Sequence, residues 1–474
     1  MNRIYTIEAL NKVDAVVTVA GWAETVRKMG KIVFINLRDK QGRLQIICDP
    51  SNESVAAIAK TVRPEFVLRA TGVIAKRAGQ NVNKDTPTGA IELQASELEI
   101  LSTAQTPPFE IVNEDRQASE EIRCQYRYLD LRHERMRHNL QKRHEMLQFL
   151  RSWLSNQHFT EIQTPILTKS TPEGARDFLV PSRNHRGKFF ALPQSPQQYK
   201  QLLMVAGVER YFQVAPCFRD EDARADRSPG EFYQLDMEMS FMSQEEILQL
   251  TEQMFTEMVR RVFPDKQIMQ TPWPRLTHAE AIKNYGTDKP DLRRDKKVKD
   301  ELAFAWVVDF PLFVKQTKED FYHGSGAAQL APSHHMFTAP REEDVPLLDS
   351  NPSKVRAYQH DMVLNGVEVG GGSIRIHQSA IQEKIFDIIG FTKDQKKQFK
   401  HLLTAFQYGV PPHGGVAPGI ERLLYAILGE PSVKEVMAFP QTSEGRDPMM
   451  GSPSKVAPQQ LRELGLKVEK EIKE

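Results

Sequence analysis

The chain has 474 residues, enough for about two to four domains and a large hydrophobic core. Its 63 lysines and arginines are balanced by 62 aspartates and glutamates, so binding to a nucleic acid would need a local basic patch. The three cysteines, Cys48, Cys124 and Cys217, form no CxxC pair, which excludes a zinc ribbon or disulfide framework and fits a reducing compartment.

The first residues, MNRIYTIEALNKVD, lack the apolar run of a signal peptide. No stretch of the sequence is long and apolar enough to span a bilayer. We therefore expect a soluble, cytoplasmic protein with no membrane partner.

Residues up to about 101 predict a small all-β unit. The candidate strands are residues 17–22, 32–37, 44–48, 66–73 and 91–98, with a helical segment at 53–62. Five strands with a helix between the third and the fourth are typical of an OB barrel, whose face binds oligonucleotides. On that face Arg27, Phe34 and Gln45 could contact unpaired bases, although Phe34 could equally be a core residue.

A connector is predicted next, so we divide the chain into a barrel at 1–104, a hinge at 105–130 and a larger domain at 131–474. Seven basic residues crowd the end of the hinge and the helix after it, as in a site for a long RNA, although a solvated helix face is also possible. They are Arg123, Arg127, Arg132, Arg135, Arg137, Lys142 and Arg143.

Apolar residues at helical spacing predict a helix over 137–157, followed by a strand, FTEIQTPIL, at 159–167. Pro165 places this strand at a sheet edge or bulge, where a partner subunit could abut.

The stretch 218–238, FRDEDARADRSPGEFYQLDME, predicts an antiparallel hairpin with an arginine-rich tip. Side chains alternate along a strand, so Phe232, Gln234, Asp236 and Glu238 share a polar face that carries one aromatic ring. Guanidinium groups such as that of Arg219 suit phosphate and an aromatic plane suits a base. This pattern favours a nucleotide site over a solvated hairpin.

Two later segments are also unusual. In DMVLNGVEVGGGSIRIH, residues 361–377, a glycine run separates Glu368 from Arg375, and these two have opposite parity. They can face one cavity only if the strand shifts by one residue within the glycines. In YGVPPHGGVAPGIERLLYAILG, residues 408–429, Arg422 lies in the first turn of a helix, where the helix dipole disfavours a cation unless an anion binds there.

In these motifs the chain resembles bacterial-type aspartyl-tRNA synthetases, nearly from end to end. The hairpin is similar to the second class II motif, at about 211–239. Residues 137–167 resemble the first motif, and GVAPGIERL resembles the third, at about 411–429. The segments TPEGARD, LPQSPQQYK and EVGGGSIRIH are similar to the amino-acid pocket of that family.

The resemblance implies an α+β fold, in which an OB anticodon barrel precedes an antiparallel catalytic sheet flanked by helices, and a homodimer. It implies that L-aspartate reacts with ATP, with Mg²⁺ as cofactor, to give aspartyl-adenylate and diphosphate, and that the aspartyl group passes to tRNA(Asp). Arg219 and Arg422 would hold the phosphates, and a base would stack between Phe232 and Arg422.

The resemblance also assigns the remaining site residues. ATP would bind Arg219, Asp220, Glu221, Ser228, Phe232, Glu368, Gly419, Ile420, Glu421 and Arg422. Aspartate would bind Glu173, Gln197, Lys200, Arg219, Asp236, His334 and Arg375. Mg²⁺ would bind Asp361 and Glu368, and the anticodon would bind Arg27, Phe34, Gln45 and Glu92.

The chain departs from this family in one large way. The bacterial members carry an extra domain between the second and third motifs, whereas here YGTDKPDLR at 285–293 leads through a short lysine-rich piece to FAWVVDFPLF at 304–313. A smaller departure is Met336 after His334 and His335, where a proline is usual.

Two other functions remain open at this stage. A sibling enzyme for asparagine is disfavoured by the cationic pair Lys200 and Arg375, which suits a carboxylate better than an amide. A non-catalytic RNA-binding paralogue is disfavoured because Arg219, Glu368 and Arg422 are all present.

The choice of tRNA is a further expectation. Relatives that also charge tRNA(Asn) often have His-Gly-Gly in the first barrel loop, whereas this chain has Met29, Gly30 and Lys31. We therefore expect a preference for tRNA(Asp).

Overall fold

The computed structural model describes residues 2–112, 118–170, 175–317 and 328–469. The chain divides into two compact units. One consists of Met1–Ile122 with Tyr128–Arg137, and the other of Arg123–Arg127 with His138–Glu474. The domain limits at 104 and 130 stay a prediction.

The first unit is a closed five-stranded barrel in the order β1-β2-β3-β5-β4. Its elements are β1 (Val16–Met29), β2 (Ile32–Arg38), β3 (Arg43–Cys48), α1 (Glu53–Ala59), β4 (Val67–Lys76) and β5 (Ile91–Ser102). Strands β3 and β5 pair in parallel, and β1 closes the barrel against β4. The predicted OB fold is therefore confirmed, and β1 is seven residues longer at its end than the predicted strand at 17–22 because it runs into a tight hairpin with β2.

Alternation along β2 decides which side chains fill the barrel. Val33, Ile35 and Leu37 are buried in its core, whereas Phe34 and Asn36 point to the outer face. Phe34 is therefore not a core residue, which removes one of the two interpretations left open by the sequence.

The second unit contains the other strands and most of the helices. The helices Glu120–Gln125 and Glu134–Asn156 include residues of both units, and residues 128–130 of the helix Arg127–Asp130 belong to the first unit. The helices are α2 (Glu120–Gln125), α3 (Arg127–Asp130), α4 (Glu134–Asn156), α5 (Gln197–Val205), α6 (Gln244–Val262), α7 (His278–Tyr285), α8 (Leu347–Ser350), α9 (Ser379–Ile388), α10 (Lys393–Gln398), α11 (Lys400–Phe406), α12 (Ile420–Leu428) and α13 (Pro458–Leu464). The strands are β6 (Thr160–Glu161), β7 (Leu179–Pro181), β8 (Phe189–Ala191), β9 (Arg210–Arg219), β10 (Gly230–Ser240), β11 (Gln267–Ile268), β12 (Arg275–Thr277), β13 (Glu301–Leu302), β14 (Phe304–Val308), β15 (Phe313–Lys315), β16 (Leu330–Pro332), β17 (Gln359–Leu364), β18 (Val367–Ile374) and β19 (His413–Pro418).

An eight-stranded sheet in the order β12-β14-β17-β18-β19-β10-β9-β6 organises this unit. It is antiparallel from β14 to β9 and parallel at both edges. Leu235, Met237 and Met239 of β10 pack into a core shared with α4, α6 and α12, while the residues between them lie on the other face. The predicted α+β fold and the alternation along the hairpin are both confirmed.

The predicted strand at 159–167 is much shorter than expected. Only Thr160 and Glu161 form a strand, at the edge of the sheet, parallel to β9. Beyond it, Thr164 donates its N–H and its hydroxyl to the side-chain Oε1 of Gln213, at 3.1 and 3.0 Å. The side chain of Gln213 therefore takes the place of a backbone carbonyl acceptor just before Pro165.

The strand contains the one-residue shift that Glu368 and Arg375 need in order to face one cavity. Met362 pairs with Gly370, but Val363 pairs with Glu368, so Val369 is the extra residue of a bulge. The bulge lies one residue before the glycines rather than within them. Among the described residues, none of the helices is both long and apolar enough for a membrane span.

Candidate active site

A cavity of about 280 Å³ opens on the sheet face opposite the α4, α6 and α12 core. It is lined by the β9–β10 hairpin, β18 and the start of α12. The predicted residues that line it are Gln197, Lys200, Arg219, Glu221, Ser228, Phe232, Asp236, His334, Glu368, Arg375, Gly419, Glu421 and Arg422.

Four predicted residues stand apart from this lining. Asp220 is exposed beyond the end of β9, and Ile420 is not in the cavity because its side chain is fully buried in the hydrophobic core. Asp361 is buried next to the cavity. Glu173 lies outside the described residues.

Four buried charged side chains form one group at the bottom of the cavity, and three of them, Lys200, Asp236 and Arg375, line it. Lys200 Nζ lies 2.5 Å from Asp236 Oδ1 and 3.4 Å from Glu238 Oε2. Arg375 donates from Nε and Nη2 to the two carboxylate oxygens of Glu238, at 2.9 and 3.1 Å. All four side chains are at most 2% exposed, so the two cations are balanced by two anions with almost no exposure to solvent.

Two more neighbours complete the surroundings of Arg375. Its Nη1 donates to His335 Nε2 at 2.9 Å and to Ser373 Oγ at 2.6 Å. Since a guanidinium has only donors, His335 must accept at Nε2 and is therefore a neutral imidazole. Burial lowers the pKa of His335 well below its usual value, and the charge of Arg375 lowers it further.

Counting hydrogens shows what remains for a ligand. An arginine has five N–H groups and a lysine has three. The contacts described above engage four groups of Arg375 and two of Lys200, which leaves one N–H on each cation. Two remaining donors match the two oxygens of one incoming carboxylate.

Asp236 provides the complementary acceptor. Tyr211 lies beside it, but the Tyr211 hydroxyl donates to Gln213 Oε1 at 2.9 Å. The oxygen Oδ2 of Asp236 is therefore buried without a hydrogen-bond partner among the described residues. A buried carboxylate oxygen of this kind suits a ligand ammonium group.

Sequence reasoning placed Glu238 on the polar face but assigned no role in this site to Glu238, His335 or Ser373. Glu238 shares the parity of Asp236 on β10, and that parity was the available signal. The contact of His335 with Arg375 joins residues 40 positions apart, so the sequence contained no signal for it.

Arg219 and Arg422 lie at the more open part of the cavity. Arg219 extends from the end of β9 with its guanidinium carbon 5.0 Å from the centre of the Phe232 ring. Arg422 donates from Nε to the backbone oxygen of Asp226 at 3.0 Å and from Nη1 to that of Glu368 at 3.2 Å. The cation that contacts Phe232 is thus Arg219, and a base between Phe232 and Arg422 stays a prediction.

Glu421 lines the cavity, but its carboxylate is already engaged. Oε1 lies 2.6 Å from Arg143 Nη2 of α4, and Oε2 accepts the backbone N–H of Tyr233 at 2.9 Å. The Arg143 guanidinium also lies 5.6 Å from the centre of the Tyr233 ring. These contacts join α4, β10 and α12, so the Glu421 side chain positions the hairpin in this structure.

Asp361 and Glu368 flank Gly371 on neighbouring strands. A Cβ atom added to Gly371 would lie 3.2 Å from Asp361 Oδ1 and 3.9 Å from Glu368 Oε1, so glycine keeps the space between the two carboxylates open. Two neighbouring carboxylates are the oxygen ligands that a hard cation such as Mg²⁺ prefers. No group of three or more His, Cys, Asp or Glu side chains at metal-binding spacing occurs among the described residues.

Hydrogen bonds connect three of the four predicted anticodon residues on the outer face of the barrel. Arg27 Nη2 donates to Gln45 Oε1 at 3.4 Å, and Gln45 Nε2 donates to Glu92 Oε2 at 3.0 Å. Arg77, which sequence reasoning missed, lies 3.3 Å from the same Glu92 oxygen. Phe34 pairs with Arg27 across the β1–β2 ladder. The four predicted residues therefore share one region of this face.

Comparison with known proteins agrees with both units. Residues 119–443 match the family described as tRNA synthetases class II (D, K and N), and residues 17–101 match the OB-fold nucleic acid binding domain. The aspartate–tRNA(Asp/Asn) ligase of Rubrobacter xylanophilus is 40% identical, over 94% of this chain and 94% of its own. The chain belongs to the aspartate–tRNA ligase family of class II tRNA synthetases.

Other members of the aspartate–tRNA ligase family are similarly close. The aspartate–tRNA ligase of Staphylococcus carnosus is 37% identical, over 95% of both chains. The alignment with the Rubrobacter enzyme spans 572 positions although this chain has 474 residues, so that relative contains many residues with no counterpart here. This agrees with the expected absence of the bacterial insertion.

Solved structures of low sequence identity share the fold. The asparaginyl-tRNA synthetase of Pyrococcus horikoshii has a TM-score of 0.74 at 21% identity and covers 97% of this chain and 100% of its own. The aspartyl-tRNA synthetase of Entamoeba histolytica has a TM-score of 0.72, also at 21% identity, and covers 93% of this chain and 91% of its own.

Proposed function

We propose that the protein is an aspartate–tRNA ligase that joins L-aspartate to ATP and transfers the aspartyl group to tRNA(Asp). The observation that carries this proposal is the buried group of Lys200, Asp236, Glu238 and Arg375, with one donor remaining on each cation. The relatives named as aspartate–tRNA ligases support the same reaction class.

The charges of the cavity complement an aspartate molecule. Its side-chain carboxylate would take the remaining hydrogens of Lys200 and Arg375, and its ammonium group would donate to Asp236 Oδ2. Asparagine would turn an NH₂ group toward a buried donor, which leaves that donor unpaired at a cost of about 1–3 kcal/mol. We therefore favour aspartate over asparagine as the substrate.

ATP would lie between Phe232 and the two arginines. The α-carboxylate of aspartate attacks the α-phosphorus, the bond to the bridging oxygen breaks, and diphosphate leaves. Arg219 would neutralise charge at the α-phosphate and Arg422 at the far phosphates, because preorganised cations stabilise the charge that develops in the transition state. In the second step, the ribose hydroxyl at the tRNA 3′ end attacks the aspartyl carbonyl and AMP leaves.

Asp361 and Glu368 would hold Mg²⁺ next to these phosphates. The ion would supply a hard positive charge that neutralises phosphate oxygens. Gly371 supports this assignment, since its missing side chain leaves room between the two carboxylates.

The barrel would read the anticodon through Phe34, Arg27, Gln45 and Glu92. Phe34 can stack on an unpaired base because its ring lies outside the barrel core. The connected side chains of Arg27, Gln45 and Glu92 offer donors and acceptors to neighbouring bases.

A homodimer is also proposed, on the basis of exposed apolar side chains in the second unit. Ile166 and Leu167, just beyond the edge strand β6, are 47% and 52% exposed. Phe241 and Tyr408 are 67% and 82% exposed. Sedimentation velocity should give twice the chain mass, and a monomer at micromolar concentration would contradict this part of the proposal.

The decisive experiment is amino-acid-dependent exchange of labelled diphosphate into ATP. Aspartate should drive exchange and asparagine should not, and tRNA(Asp) should then be charged. Exchange driven by asparagine would indicate the sibling enzyme. No exchange with either amino acid would indicate a non-catalytic tRNA-binding protein.

A further inference from the structure

A lysine from outside the motifs contacts one of the two carboxylates assigned to Mg²⁺. Lys289 Nζ lies 3.2 Å from Glu368 Oε2, and the two side chains are 41% and 29% exposed. Lys289 belongs to the segment that follows α7.

Local contacts hold this segment in place. The N–H of Lys289 donates to Thr287 Oγ1 at 3.1 Å, and Arg293 donates from Nη2 to Asp291 Oδ2 at 2.8 Å. A Cβ atom on Gly366 would lie 3.3 Å from Asp291 Cβ, so the segment packs against the turn between β17 and β18, two residues before Glu368.

Glu368 consequently faces two cations. Besides Lys289, Arg422 Nη1 lies 3.7 Å from Glu368 Oε2. A divalent cation on the other side of this carboxylate, beside Gly371, would be repelled by the Lys289 ammonium at short range. The divalent cation would also gain less from the Glu368 carboxylate, because the Lys289 ammonium already neutralises part of its charge.

On the basis of the proposed function, we propose that Lys289 competes with the divalent cation for Glu368 and weakens metal binding in the absence of nucleotide. Lys289 is thus a positioning residue, since it acts on the metal ligand Glu368 and touches none of the reacting atoms.

The test is a titration of the full-length protein with Mn²⁺, followed by the EPR signal of the free ion, without ATP, aspartate or tRNA. Lys289→Met should lower the dissociation constant for Mn²⁺ about tenfold, because it removes a charge next to the site. Lys289→Arg, which keeps the charge, should bind Mn²⁺ like the wild type. Lys283→Met, which removes an exposed lysine from α7, is the matched control and should also bind like the wild type.

A change below about threefold in Lys289→Met, or weaker binding, would overturn the proposal. Equal tightening in Lys283→Met would also overturn it, since the effect would then come from net charge rather than from the contact. Aspartate-dependent exchange by the same wild-type preparation tests the proposed function separately, because the Mn²⁺ titration involves no substrate.

Discussion

Arg375 and Glu238 form a two-point ion pair beneath the cavity, with N–O distances of 2.9 and 3.1 Å and both side chains at most 2% exposed. The pair joins the residue that directly follows β18 to β10, on the sheet face that carries the cavity. Arg375 would therefore reach the substrate in an orientation set by Glu238, a residue that does not itself line the cavity.

Removing the charge of Glu238 should destabilise the protein. Glu238→Gln leaves Arg375 and Lys200 with an excess of buried positive charge, and breaking a buried pair typically costs about 3–5 kcal/mol. Urea unfolding of the catalytic unit within the full chain measures this loss. Glu161→Gln is the control because its partner Arg151 is on the surface, and it should cost less than about 1 kcal/mol. Equal losses in both variants would contradict the assignment.

The same residue predicts a pH dependence of stability. Burial by itself would raise the pKa of Glu238, but Arg375 and Lys200 together lower it to about 2. A folded-state pKa below the unfolded value of about 4.3 stabilises the protein above that value, and the contribution disappears as the pH falls through the folded pKa. The stability gap between wild type and Glu238→Gln should therefore be full at pH 6 and narrow from about pH 4.3 downward. A difference in stability between wild type and Glu238→Gln that grows as the pH falls would contradict the lowered pKa of Glu238.

Arg219→Ala should abolish aspartate-dependent exchange of diphosphate while the protein stays folded. Loss of one preorganised charge contact costs about 3 kcal/mol or more in the transition state, which is at least a hundredfold in rate. Arg210→Ala is a suitable control, since Arg210 begins the same strand but contacts Gln157, away from the cavity. Exchange near the wild-type rate in Arg219→Ala would refute the phosphate role.

Arg375→Leu should weaken aspartate activation far more than ATP binding, because the substrate carboxylate would be left unpaired in a buried site. The Michaelis constants for aspartate and ATP in the exchange reaction separate the two effects, with direct ATP binding as a check. If both affinities fall equally, Arg375 has a general structural role in the glycine-rich strand.

The barrel hairpin predicts a preference for tRNA(Asp) over tRNA(Asn). Gly30, with a φ of 59°, and Lys31 form the two-residue turn between β1 and β2, and Met29 is 68% exposed beside them. The two anticodons differ at one base, and one good base contact contributes roughly 1–3 kcal/mol. Several relatives are named as ligases for both tRNAs, so the charging of tRNA(Asp) and tRNA(Asn) by this protein has to be compared directly. Charging of the two transcripts at equal concentration measures it, and comparable rates would exclude selection by this turn.

The local sequence pattern was sufficient to predict the strands of the barrel and of the β9–β10 hairpin. Alternating apolar residues predict strands wherever one face is buried, and the β9–β10 pair follows this rule along its length. The strand expected at 159–167 was wrong beyond Glu161, because Thr164 donates its hydrogen bonds to the side chain of Gln213 on another strand rather than to a backbone carbonyl.

The site residues divide in the same way. Arg219, Phe232 and Asp236 could be placed on one face from spacing alone, since they belong to one hairpin. Spacing also predicted a shift between Glu368 and Arg375, but the structure places it at Val369.

What the sequence by itself determined about this protein is therefore its two folded units, the polar face of the hairpin and the family motifs. These features depend on neighbours along the chain, where the strand period of two fixes which side chains share a face. Only the tertiary structure decided how the charges are paired. Glu238 pairs with Arg375, and His335 stays neutral beside it. Lys289 contacts Glu368, although the two residues are 79 positions apart in the sequence. Such pairings depend on the packing of elements that are distant in the sequence, and no local pattern encodes that packing. Burial of the paired groups then makes each ion pair strong.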